Sequence, residues 1–64
     1  MLTKERIAYI KTAIAHAATM DCSNARYFYR SASDALQRAQ HDTNQKQWLE
    51  LFVQLETIAA ARGL

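Results

Sequence analysis

The chain has 64 residues, half of them hydrophobic, with 8 Lys+Arg against 6 Asp+Glu, a formal net charge of +2 and one cysteine. That length allows one domain, residues 1–64, and so short a chain buries a smaller share of its surface than a larger one does. The charge excludes the dense basic arm of a dedicated nucleic-acid tail. The lone Cys22 excludes an internal disulfide and a CxxC metal or redox pair, which points to a reducing cytosol.

Proline is absent and Gly63 is the single glycine, so the interior lacks strand and hairpin punctuation, while alanine, glutamine, lysine and leucine favour helix. The sequence therefore predicts an all-α fold of three short helices, at about 4–20, 24–40 and 45–62, in a small, self-associating bundle. Of the 32 hydrophobic residues 12 are alanines, which bury little area and let helix backbones approach closely.

In the first helix Thr3 is placed to cap the opening turn, and Leu2 before it to pack on Ile7. Ile7, Ile10, Ile14, Ala17 and Ala18 fall on one stripe and are predicted core. A second stripe, Tyr9, Ala13, His16 and Met20, recurs at spacings of four, three and four, and suits either a partly covered helix edge or a contact with a second chain. Lys11 and His16 interrupt the apolar run that a signal peptide or membrane span needs, so no membrane partner is expected.

Asp21, Ser23 and Asn24 mark the first break, because their side chains compete with the backbone and favour caps and turns. The second helix then carries Ala25, Phe28, Tyr29, Ala32, Ala35, Leu36 and Ala39 on one arc. Its stretch NARYFYRSA, residues 24–32, sets three rings between two arginines, a pattern that grips single-stranded nucleic acid in other settings. With Ala32 at the centre of the arc, Phe28 and Tyr29 turn inward and Tyr27 turns outward beside Arg30. Arg26, Tyr27, Arg30 and Arg38 are therefore the candidate partner-binding residues. The arginine charge is expected to be answered in part by Arg30–Asp34 and Asp34–Arg38 pairs, and the plain alternative is a solvated helix face.

HDTN, residues 41–44, marks the second break, with Asp42 and Gln45 at capping-box spacing. The third helix has Trp48, Leu51, Phe52, Leu55, Ile58 and Ala59 as its main stripe, and Gly63 stands where a left-handed C-terminal residue is expected. Leu49, Val53 and Ala60 widen the apolar arc to roughly 200°, more than one helix facing one core requires. These three, with Tyr9, His16 and Met20, are the predicted self-association residues.

His16, Asp21, Cys22, His41 and Asp42 match no zinc-ligand spacing, so no metal or other cofactor is expected. No nucleophile, base and orienter can be chosen either, which predicts a non-enzyme, and Cys22 reads as a small buried or partly buried hydrophobe. A helix-turn-helix reader would need a polar, basic recognition helix. The third helix is too apolar, and the second, with Arg26, Arg30, Ser33, Gln37 and Arg38, is the better candidate.

The segments LTKERIAYIKTAIAHAA and QKQWLELFVQLETIAAARGL resemble, in length and helical make-up, the small helical open reading frames of the early region of lambdoid bacteriophages. The resemblance implies a small early protein acting in the bacterial host cytoplasm by binding a host or phage protein to influence development. It carries over no site residues. The expected function is that of a protein-binding regulator, with a DNA-binding regulator using the basic face of the second helix as the alternative.

Overall fold

Three α-helices run up, down and up in the computed structural model of the chain, which describes residues 2–41 and 44–64: α1 Lys4–Thr19, α2 Cys22–Arg38 and α3 Gln45–Arg62. The radius of gyration is 11.0 Å, close to the ~11 Å expected of a packed chain of this length. All three helix pairs touch.

Each helix starts and stops for a local reason. Thr3 is extended and its Oγ1 accepts the Arg6 amide at 3.1 Å, which satisfies one of the unpaired donors of the first turn. Helix α1 ends one residue before the sequence suggests, because Met20 is already extended (φ −77°, ψ 166°). Helix α2 begins at Cys22 instead of Asn24. Asp21 takes the N-cap place and its carbonyl accepts the Ala25 amide at 2.8 Å, while its carboxylate accepts Asn24 Nδ2 at 2.7 Å instead of a backbone amide. Two residues thus suffice to reverse the chain.

Helix α2 stops at Arg38, short of the expected Gln40. Ala39 and Gln40 donate to carbonyls three residues back, at 3.1 and 3.3 Å, so the last turn tightens. Helix α3 has the expected bounds. Its N-cap is Asn44, whose Oδ1 accepts the Gln47 amide at 3.3 Å while its Nδ2 donates to Gln47 Oε1 at 3.2 Å; the cap expected of Asp42 lies outside the described residues. Gly63 adopts the left-handed conformation (φ 68°), and Leu64 N–H reaches back to Ala59 O at 2.9 Å, the six-to-one bond of a Schellman ending.

The core joins Ile10, Ala13 and Ile14 of α1 to Ala32, Ala35 and Leu36 of α2 and Leu51 and Leu55 of α3. Its large members are few, and the alanines between them bring α1 and α2 close together. Ala18, expected in the core, is exposed. It stands roughly 80° around α1 from the fully buried Ile10, at the margin of the stripe.

Two donors on α3 fasten the carbonyl ends of the other helices. Arg62 Nη1 donates to Ala17 O at 2.7 Å in the last turn of α1, and Trp48 Nε1 donates to Leu36 O at 2.7 Å in the last turn of α2. Ala17 O would otherwise accept from the residue four positions on, Asp21, which already caps α2. The positive guanidinium also suits the negative end of a helix. Because these contacts sit at opposite ends of α3, they fix both its height and its direction in the bundle.

Candidate functional site

Helix α2 turns Phe28 toward α1 and Tyr29 toward α3, either side of the buried Ala32. The Phe28 ring lies 4.6 Å from that of His16, and Tyr29 Oη donates to Glu56 Oε1 at 3.1 Å. Burial raises the pKa of the Tyr29 phenol above 10.0, and the hydrogen bond and charge of Glu56 raise it further. A phenolate there would lose its water and face a carboxylate. The two rings therefore belong to the fold, as the wheel predicts.

Tyr27 is 67% exposed, its ring set edge-on to Phe28 at 5.3 Å and 83°. Ser23, Arg26, Tyr27 and Arg30 together line a shallow, open concavity, since positions three, four and seven apart share one helix face. Ser23 is the member that the sequence reading leaves out of the binding set, although its spacing to Arg26, Tyr27 and Arg30 carried the signal.

Arg38 does not join them. Twelve residues separate it from Arg26, which on a helix is roughly 18 Å along and 120° around. It lines a smaller hollow on the α1 side with Leu2, Arg6, Ala35 and Ala39. Of the two ion pairs expected for Asp34, the one with Arg38 forms, at 3.1 Å, and the one with Arg30 does not. Among the described residues Arg26 and Arg30 have no carboxylate within ion-pair distance, so their charge faces outward unanswered.

The predicted self-association residues divide in the same way. Tyr9 hydrogen-bonds Ser31 through its hydroxyl, and His16 packs on Phe28, so both lie along the seam of α1 and α2 within one chain; Met20, at the end of the same stripe, is half-buried. Leu49, Val53 and Ala60 stand on the same side of α3 as Glu56, which reaches α2 from the opposite flank. The six residues do not form one surface.

The α3 group is bare. Leu49 is 54% and Val53 52% exposed, and Ala60 is exposed too. Phe52, expected in the main stripe with Leu55, is 37% exposed and lies flat on Trp48 at 5.1 Å and 7°. It sits roughly 60° around the helix from Leu55, so it belongs as much to the outer flank as to the core.

Cys22 is exposed at the first position of α2, contrary to the buried or half-buried place expected of it. Beginning the helix at Cys22 puts that residue in its first turn, beyond the reach of the core. Among the described residues no group of three or more His, Cys, Asp and Glu side chains is placed to hold a metal ion, and no helix is long and apolar enough to cross a membrane. No protein-family model, curated protein or solved structure matches the chain.

Proposed function

We propose that the chain is a small non-enzymatic regulator that acts by binding another protein through the outer face of α2. The observation that carries this reading is the gathering of Arg26, Tyr27 and Arg30, with Ser23, on one open concavity whose two guanidinium groups have, among the described residues, no carboxylate within ion-pair distance. Tyrosine and arginine are the side chains that most often anchor protein interfaces, because each offers a broad apolar body with a polar tip. An acidic or carboxylate-rich surface is the partner such a face suits. The specific form of the reading follows from the resemblance to early-region phage proteins: a host or phage protein bound in the bacterial cytoplasm to alter development.

The same unanswered charge favours a second reading, a DNA-binding regulator that sets Arg26 and Arg30 on phosphates. Salt separates the two. Capture of a partner from bacterial lysate by the tagged chain, surviving moderate salt and lost in the Arg26→Ala, Tyr27→Ala variant, is the result expected of protein binding. Retention on DNA that collapses as salt rises, with a slope reduced by about one per phosphate contact removed, belongs to the second reading. Neither retention nor capture would reject both.

A further inference from the structure

We propose that the hollow between the start of α1 and the end of α2 is a binding site for a carboxylate borne on a small, branched apolar group. It lies apart from the concavity of Ser23, Arg26, Tyr27 and Arg30, and the inference stands whichever partner that face binds.

Two helices build the hollow. Arg6 comes from the first turn of α1, where Thr3 Oγ1 holds its amide at 3.1 Å, while Ala35, Arg38 and Ala39 share one face at the end of α2. Leu2 and the two buried alanines give the hollow its apolar lining. The space is about 70 Å³, several times the ~10–15 Å³ that one water needs, so it takes a group of a few heavy atoms.

Charge selects what that group carries. Arg38 meets Asp34 through Nε at 3.1 Å, and one carboxylate leaves most donors of a guanidinium unused. Among the described residues Arg6 has no carboxylate within ion-pair distance. Two like charges therefore line one small hollow, and an anion seated between them relieves their repulsion. The nearby Asp34 and the apolar lining disfavour a dianion such as phosphate, whose oxygens would lack donors on that side. A single carboxylate suits both arginines, and a branched aliphatic body suits Leu2, Ala35 and Ala39. Both arginines are exposed, so binding is expected to be weak, with a dissociation constant on the order of millimolar. Short free acids and the apolar last residue of a peptide share this chemistry.

Nuclear magnetic resonance titration of the full chain tests the site, with isovalerate and N-acetyl-leucine as probes and isovaleramide and acetate as controls. Saturating shifts are expected at Arg6, Ala35, Arg38 and Ala39. The uncharged isovaleramide is expected to cause none, and acetate, lacking the apolar branch, to bind about tenfold more weakly. Arg6→Gln is expected to weaken isovalerate binding about tenfold, while Lys11→Gln, the same loss of charge roughly 140° around α1, leaves it unchanged. Both positions are exposed, so both variants are expected to keep the wild-type helical circular dichroism. Tighter binding of N-acetyl-leucine than of isovalerate identifies a peptide end as the occupant, and the reverse order a free acid. Shifts that never saturate, that centre on Arg26 and Arg30, that isovaleramide reproduces, or that survive Arg6→Gln unchanged would each overturn the proposal.

Discussion

Helices α2 and α3 bury similar inner stripes and differ on the outside. Behind Ala25, Ala32 and Leu36, α2 presents arginines, serines and an aspartate to water; behind Leu51, Leu55 and Ala59, α3 presents Leu49, Phe52 and Val53. The first is an amphipathic helix whose outer face is solvated whether or not anything binds there. The second keeps apolar side chains in water. The wider apolar arc of α3 already separates the two in the sequence, and burial shows that the outer part of that arc is uncovered within one chain.

The sharpest way to break the comparison is to cut one residue from each side of α3. Leu55→Ala, at a fully buried position, is expected to cost about 2–5 kcal/mol in urea or thermal unfolding. So small a chain cannot spare that. Leu49→Ser, measured dilute enough for the chain to be monomeric, is expected within about 0.5 kcal/mol of wild type. Equal losses at the two positions would mean that both sides of α3 are buried in one chain.

Next in size are the donors that fix α3 against its neighbours. Arg62→Met leaves Ala17 O without its charged donor and is expected to lose about 1.5 kcal/mol. Trp48→Phe removes the bond to Leu36 O and is expected to lose about 1 kcal/mol, since Ala39 N–H still reaches that carbonyl. Hydrogen exchange should show the last turn of α1 opening in the first variant and the last turn of α2 in the second. Asn44→Ala, losing the α3 N-cap, is expected to cost about 1 kcal/mol.

The smallest effect is one of pH. The Tyr29 pKa is raised on folding, by burial first and by Glu56 second. Its contribution is therefore complete below pH 10.0, the unfolded value, and is lost as pH climbs through the higher folded value. Wild type is expected to lose more stability than Tyr29→Phe between neutral and strongly alkaline pH in denaturant titrations. Parallel curves for the two chains would show that the phenol titrates alike folded and unfolded.

Helix number, the bounds of α3, the Thr3 cap and the left-handed Gly63 were legible in the sequence because each rests on local chemistry. So did the inward turn of Phe28 and Tyr29 and the outward turn of Tyr27, which follow from periodicity alone. The start of α2 was not legible: Asp21, Ser23 and Asn24 are all good caps, and only the packing of α1 on α2 selects Asp21. That choice also set Cys22 in the first turn, exposed. The ties made by Trp48, Arg62 and Glu56 depend on how far along one another the helices slide, which no helical wheel contains. Arg38 is a different case, because its offset of about 120° from Arg26 around α2 was readable on a helical wheel and only its residue type had set it with the basic face.

The claim most open to test is the self-association that the wide apolar arc of α3 predicts, and the thermal midpoint as a function of protein concentration tests it most directly. Binding confined to the folded state makes that midpoint rise with concentration. The account predicts a rise for wild type from low to high micromolar and none for Val53→Glu. A wild-type midpoint that stays constant over that range would contradict it.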